Sequence, residues 1–475
     1  MEQINLQSMA NTICAISTPS GCGGIAVIRV SGPQAFSIVD SIWKGKKLQD
    51  AASHTAHLGT ILDSEKKPLD QAVATVFRNP RSFTGEDIVE ISVHGSIYIQ
   101  QQLLASLIKA GAEMAEPGEF TRRAFTNGRL DLAEAEAVAD IIASSSRAAH
   151  RLAMSQLQGR FSSHIDSLRE RLVELASLLE LELDFSEEDV TFADRQQLRT
   201  LAEEIRSTVN SLASTFASGQ ALRDGIPVAI IGRPNVGKSR LLNTLLQTDR
   251  AIVSDIPGTT RDTVEDTIDL DGNTFRFIDT AGIRRTDDPV ENLGIARAID
   301  KASKARIIIW LINPEDLSNT EALADFRQQI AETASEDSSL FIAINKIDTL
   351  SDDAVAPLLK KATESIPNAT EIFAISALKG NGISQLKTKL VEAATHGLPA
   401  DESLIVTNAR HHAALLQASE ALTTLLQGLN EENLLTPDLL ALHLREAIRA
   451  LATITGTISS QEILNTIFSR FCIGK

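Results

Sequence analysis

Gly232-Arg-Pro-Asn-Val-Gly-Lys-Ser239 sets two glycines, an ammonium and a hydroxyl at the spacing that holds a nucleotide phosphate. The apolar run Val228-Ala-Ile-Ile231 precedes it and the helical pattern Leu241-Leu-Asn-Thr-Leu-Leu246 follows. In a strand, turn and helix setting, backbone N–H groups of the turn and of the helix N-terminus face the anion. Asn235, Val236, Gly237, Lys238, Ser239 and Arg240 then form the nucleotide-binding turn. Lys238 reaches the β- and γ-phosphates, and the Ser239 hydroxyl ligates Mg²⁺.

Four further motifs follow in order. Ser254, Asp255, Ile256, Pro257, Gly258, Thr259 and Thr260 make a loop whose Thr260 can close over the γ-phosphate and complete the Mg²⁺ shell. Asp279, Thr280, Ala281 and Gly282 follow a strand; Asp279 meets the metal's water and Gly282 offers its N–H to the γ-phosphate. Asn345-Lys346-Ile-Asp348 places a carboxylate that accepts from N1–H and the N2 amino group of guanine, donors that adenine lacks. Ser376-Ala377-Leu378 can present a backbone N–H to guanine O6. Four ordered elements specify GTP over ATP.

The group that activates water is not fixed by spacing. The position after Asp-x-x-Gly, where Ras-like switches carry Gln, is Ile283, which cannot polarise water. Asp287, Asp288 and Glu291 are nearby candidates. Asn235, with backbone carbonyls of the 254–259 loop, could hold a monovalent cation where an arginine finger otherwise acts. A loop-stabilising side-chain hydrogen bond explains Asn235 equally well.

These groups need an α/β domain, and the sequence changes character on both sides of it. Before Gly219 and Gly225 the stripe Leu168, Leu172, Leu175, Leu179 and Leu183 reads as an amphipathic helix, and Leu132 to Ile142 reads as another. Helix returns near residue 400, with Thr436-Pro437 as a helix start and Ser459-Ser-Gln-Glu462 as a capping box. The simplest arrangement is a GTPase domain at 225–390 inserted into a helical domain at 128–224 and 391–475. Residues 1–127 carry strands at 12–16, 25–30, 72–77 and 88–93 and a helix from Ile97, making a separate α+β domain. There Arg29 and Glu86 read as solvated charges or a local ion pair. The acidic run Glu180, Glu182, Asp184, Glu187, Glu188 and Asp189 reads as a solvated face.

The 475 residues carry 45 Lys and Arg against 62 Asp and Glu, a net charge of −17, so a general nucleic-acid surface is disfavoured. Cys14, Cys22 and Cys472 lack metal spacing and suit a reducing compartment. Neither a signal peptide nor a membrane-spanning run is expected, so the reading is a cytoplasmic protein with no membrane partner.

Gly-x-Gly-Gly-Ile-Ala-Val-Ile-Arg29, Phe-Thr-Gly-Glu86-Asp, Asn-Gly-Arg129-Leu-Asp-Leu-Ala-Glu-Ala-Glu-Ala and the terminal Cys472-Ile-Gly-Lys475, combined with the GTPase motifs, resemble the tRNA modification GTPase family MnmE (TrmE) over the whole chain. The resemblance implies a homodimer built through a folate-binding-like first domain. It implies a heterotetramer or larger complex with the flavoprotein MnmG, which uses NADH, and tRNA bound mainly through that partner. The implied product carries a carboxymethylaminomethyl or aminomethyl group on C5 of the wobble uridine. The carbon comes from a tetrahydrofolate derivative, 5-formyl- or 5,10-methylene-tetrahydrofolate. By the same resemblance Arg29, Glu86, Arg129 and Lys475 contact folate, although the family commonly has Lys where Arg129 stands. K⁺ falls to Asn235, Ser254, Ile256 and Thr259, Mg²⁺ to Ser239 and Thr260, and the water-activating role to Glu291. Cys472 is either a nucleophile or structural. The competing reading is a ribosome-assembly GTPase of the Era or EngA type, which should carry a basic RNA-binding module.

Overall fold

The computed structural model describes residues 11–184, 195–248, 266–278, 305–318, 320–333, 338–396, 398–399, 401–429, 435–469 and 471–474. The chain divides into two compact units. One comprises Met1–Ile142, Ala153–Val209 and Ala413–Lys475; the other comprises Ala143–Leu152 and Asn210–His412.

In the first unit, seven strands form one sheet: β1 (Ile13–Ile16), β2 (Ala26–Ser31), β3 (Trp43–Lys44), β4 (Thr55–Leu62), β5 (Pro68–Phe77), β6 (Ile88–Val93) and β7 (Glu113–Met114). Their order is β3-β4-β5-β6-β2-β1-β7, antiparallel except where β1 meets β7. Alternation along β2 explains its two faces. Ala26, Ile28 and Val30 are buried in a core shared with α1 (Ala35–Ile42) and α2 (Ile97–Lys109), while Val27 and Arg29 lie on the other face. The expected strands and the helix from Ile97 are present; β4, with His57 and Gly59 in its run, gave no strand signal.

The helices of this unit are α3 (Glu119–Thr126), α4 (Leu132–Ala143), α6 (Arg160–Asp184) and most of α7 (Arg195–Ser214), then most of α13 (Ala409–Gly428), α14 (Pro437–Thr455) and α15 (Gln461–Phe468). The helix α5 (Arg147–Leu157) is divided between the units, and the end of α7 from Asn210 and the start of α13 up to His412 belong to the second. Leu168, Leu172, Leu175 and Leu179 are buried along α6, which packs lengthwise on α14. Thr436 and Pro437 do start α14. The last helix departs from expectation: its cap is Ser460, whose hydroxyl accepts from Ile463 N at 3.3 Å, rather than Ser459. The acidic side chains from Glu180 to Asp189 lie outside the described residues. Among the described residues no helix is long and apolar enough to cross a membrane.

The second unit holds a six-stranded sheet: β8 (Ile226–Gly232), β9 (Asp266–Leu270), β10 (Asn273–Phe277), β11 (Ile307–Ile312), β12 (Ser339–Ile344) and β13 (Glu371–Ala374). The order is β13-β12-β11-β8-β10-β9, with only β9 antiparallel. Every residue of β11 is buried, as a central parallel strand covered on both faces requires. One face packs with α8 (Phe216–Asp224), α9 (Lys238–Thr248) and α12 (Ile383–Thr395); the other packs with α10 (Thr320–Thr333) and α11 (Asp352–Ser365). The carboxyl ends of the parallel strands therefore share one edge, the place where open α/β sheets bind ligands.

Candidate functional site

At that edge β8 ends on Gly232 and α9 begins at Lys238. Both motif glycines are forced by geometry. Gly232 has φ +151°, and a Cβ there would stand 2.5 Å from Leu311 O. Gly237 has φ +104°, and a Cβ would run into Asn345 Nδ2. Asn235 sits at φ +61°, a left-handed conformation that Asn tolerates better than most side chains. It is exposed, and its side chain makes no hydrogen bond to any described residue. Lys238 Nζ lies along the loop, donating to Gly232 O at 2.7 Å and to Arg233 O at 3.0 Å. Ser239 is half-buried in the first turn of α9.

The base-reading segments meet this loop directly. Asn345, at the end of β12, is 3% exposed. Its Nδ2 donates to Val236 O at 2.7 Å and its Oδ1 accepts from Ala377 N at 3.0 Å. A single buried amide thus joins the phosphate loop to Ser376-Ala377-Leu378. Lys346 follows at φ +66°. Asp348 Oδ1 accepts from the Ser376 hydroxyl at 2.6 Å, and that hydroxyl accepts from Lys379 N at 3.1 Å. The Ser376 hydrogen bond, then a hydrogen bond from the backbone N–H of Asp348 itself, and after these the charges of Lys379 and Arg240, hold the Asp348 carboxyl below its ordinary value against the opposing effect of desolvation. An ionised Asp348 is what pairing with two guanine donors requires.

Of the residues expected to close the site, Ser254, Asp255, Ile256, Pro257, Gly258, Thr259, Thr260, Asp279, Thr280, Ala281, Gly282 and Glu291 lie outside the described residues, as do Asp287 and Asp288. The donors that are described suit hard cations. Ser239 and Asn235 offer neutral oxygens, and Mg²⁺ in nucleotide sites takes few protein ligands beside phosphate and water. Among the described residues no cluster of three His, Cys, Asp or Glu could hold a metal by itself.

In the first unit, Arg29, Glu86 and Arg129 converge on the turn from Ser82 to Asp87. Arg29 pairs with Glu90 across β2 and β6 at 2.8 Å and lies over the Phe83 and Phe120 rings at 5.2 and 5.5 Å. Gly85 comes so close to Arg129 that a Cβ would stand 3.0 Å from its Cγ. Glu86 accepts from Ser31 Oγ at 2.7 Å and from Arg123 at 3.2 Å. Arg123 gave no signal in the sequence, yet it is the hub. Only 4% of its side chain is exposed, and it also donates to Glu119 at 2.9 Å and to Asn11 O at 2.8 Å. The chain's tail lies against the same unit. Ser17 Oγ donates to Gly474 O at 3.1 Å and Gly118 N to Cys472 O at 3.4 Å. Cys472 is exposed, and Lys475 lies outside the described residues. Burial pushes the Cys14 thiol up to about 12.

Comparison with known proteins adds three findings. Residues 132–472 match the family model of the MnmE helical domain, and residues 12–129 match that of the GTP-binding protein TrmE N-terminus. A tRNA modification GTPase MnmE from Christiangramia forsetii is 47% identical over 473 residues, covering 98% of this chain and 99% of that protein. One of the same description from Parabacteroides distasonis is 48% identical over 472 residues, covering 98% and 100%. Among solved structures, a variant of Aquifex aeolicus Era bound to GDP·AlF4⁻ aligns with 42% of this chain and 67% of its own at 30% identity, with a TM-score of 0.28. A likeness of that score carries no functional argument.

Proposed function

The chain belongs to the MnmE family of tRNA modification GTPases, and from that premise we propose that it is the K⁺-dependent GTP-hydrolysing subunit of a complex that modifies C5 of the tRNA wobble uridine with a one-carbon unit from tetrahydrofolate. It is a GTPase acting in tRNA modification. The observation that carries the nucleotide half is the buried Asn345 amide, which ties the phosphate loop to the guanine-reading segment. The convergence of Arg29, Glu86 and Arg129 on one turn, with the chain's tail against the same unit, supports the folate half.

In this reading Lys238 contacts the β- and γ-phosphates, and Asp348 pairs with the N1–H and N2 amino group of guanine. Ser239 and Thr260 hold Mg²⁺; Asn235 with Ser254, Ile256 and Thr259 holds K⁺. The two cations supply positive charge at the bond that breaks. Glu291 orients the attacking water. The working form is a cytoplasmic homodimer joined by a flavoprotein of the MnmG kind, with tRNA held mainly by that partner. Full-length relatives named for tRNA modification disfavour the ribosome-assembly alternative.

Mass analysis of tRNA from cells lacking this chain tests the function: wobble uridines should lose the C5 substituent. Unaltered tRNA would overturn the reading. Glu291→Ala should retain GTP binding while turnover falls by about 10²-fold or more. GTP turnover equal in K⁺ and Na⁺ would remove the cation from the mechanism.

A further inference from the structure

Thr244 lies outside the nucleotide-binding motifs, yet its hydroxyl reaches into the guanine site. Its single hydroxyl hydrogen is shared between Arg240 O, one turn back on α9, at 2.9 Å and Ala377 O at 2.9 Å. The first is the bond that a helical threonine ordinarily makes to its own i−4 carbonyl. The second is tertiary, and it ties the helix after the phosphate loop to the base-reading segment.

Ala377 is thereby held from both sides, its N–H by Asn345 Oδ1 and its carbonyl by Thr244. The neighbouring N–H groups are also engaged: Ser376 N with Asn381 O at 3.0 Å, Lys379 N with Ser376 Oγ at 3.1 Å, and Gly380 N with Ser376 O at 2.8 Å. Within Ser376–Gly380, the N–H of Leu378 alone has no partner among the described residues. It belongs to the same peptide plane as the Ala377 carbonyl. In a trans peptide the C=O and N–H point in opposite directions, so fixing one aims the other.

We propose that Thr244 is a positioning residue for guanine: by holding the Ala377 carbonyl it aims the Leu378 N–H at O6 of the base. This rests on the assignment of the Asn345–Asp348 and Ser376–Leu378 segments to the base. It adds a recognition element from α9, which the motifs place at the phosphates. Asn345 already links Val236 to Ala377, so Thr244 closes a circuit that runs from the phosphate loop through the base segment and back to α9.

The test compares GTP with 2-aminopurine riboside triphosphate on the full-length chain and on Thr244→Val and Thr244→Ser. The analogue lacks O6 and with it the N1–H that Asp348 reads, so only the difference between proteins is scored. Valine keeps the shape and removes the donor; serine keeps the donor. Loss of one such hydrogen bond should raise KM for GTP about three- to tenfold in Thr244→Val. The 2-aminopurine nucleotide should bind the two proteins equally, and Thr244→Ser should keep the unsubstituted KM. An unchanged KM for GTP, an equal loss for both nucleotides, or a serine variant as impaired as the valine would overturn the proposal. If the unsubstituted chain fails to prefer GTP over ATP, the assignment of the base segments falls as well, and that result is read without any variant.

Discussion

Arg123→Met is the substitution whose cost the structure defines best. The guanidinium is 4% exposed, and it sits between Glu119 and Glu86, whose side chains are 8% and 13% exposed. Methionine fills a similar volume but leaves both carboxylates in a site that excludes water. Breaking a buried ion pair by deleting one partner costs about 3–5 kcal/mol, because the remaining charge loses its compensation. Glu86 keeps its bond from Ser31 Oγ, and Glu119 keeps the Glu116 N–H at 2.8 Å and Arg122 at 3.8 Å, so the lower part of that range applies. With a urea slope of about 2–3 kcal/mol/M, the unfolding midpoint of this unit should fall by about 1–2 M. Trp43 is buried in this unit and Trp310 in the other, so Trp310→Phe leaves a fluorescence signal that follows the first unit alone. The Lys67–Glu65 pair is a control. Its 2.7 Å contact is shorter than that of Arg123, but its side chains are 71% and 68% exposed, so Lys67→Met should leave the midpoint where it was. Adding Glu86→Gln to Arg123→Met should recover part of the loss. If Arg123→Met and Lys67→Met shift the midpoint equally, burial is not what gives this network its strength.

Gly474→Ala should loosen the tail, because φ is +95° and the new Cβ would collide with Ile16 O; folate affinity should fall several-fold by titration, and unchanged affinity would separate the tail from that site. The pH dependence of the first unit should carry a contribution from Asp131, whose carboxyl burial raises above the ordinary value. The folded state then holds a proton that the unfolded state has released, so stability falls as pH rises through this window. Asp131→Asn keeps an oxygen to accept from Glu134 N, so the urea midpoint should decline less between pH 4 and 8 than in the unsubstituted protein; parallel curves would refute the assignment. Thiol labelling at pH 8 should modify Cys22 and Cys472 quickly and Cys14 only after unfolding, since its thiolate is scarce in the fold; three fast cysteines would contradict that.

The phosphate and guanine motifs were legible because their chemistry fixes residue types at short spacing. Gly232 and Gly237 are dictated by backbone approach, and Asn345 by two carbonyl and amide groups that must be satisfied together. Arg123 was not legible. It sits in the short helix Glu119–Thr126, where Arg122 and Arg123 look alike. Its burial depends on Asn11 and Glu86, 112 and 37 residues away in the chain. The same limit applied to Arg29: a charge in an apolar strand reads as a solvated group until the β2–β6 register sets Glu90 opposite it. Thr244 was hidden for a different reason, since helix periodicity describes it without any tertiary role. The cap at Ser460 differs from the expected Ser459 because two adjacent serines offer equivalent caps in sequence, and only the chain's entry angle chooses between them.

The inserted arrangement places one requirement on the second unit, and two distant segments meet it. An insertion is tolerated when the inserted domain's ends lie close together. Thr215, just before α8, accepts from Val406 N at 2.9 Å, and Gly219 packs so tightly on Val406 that a Cβ would strike its carbonyl. Phe216 stacks on His412 with ring centroids 4.4 Å apart and planes within 8°. The incoming chain and the outgoing chain are thus held side by side by a hydrogen bond, a glycine contact and a stacked pair, with Ile405 and Val406 buried between them. A displacement of residues 402–412 must be shared by residues 215–219, because neither can slide without breaking all three contacts. Two of the places where the chain leaves this unit are therefore held together by contacts within the unit itself, which is the closeness of ends that an insertion requires.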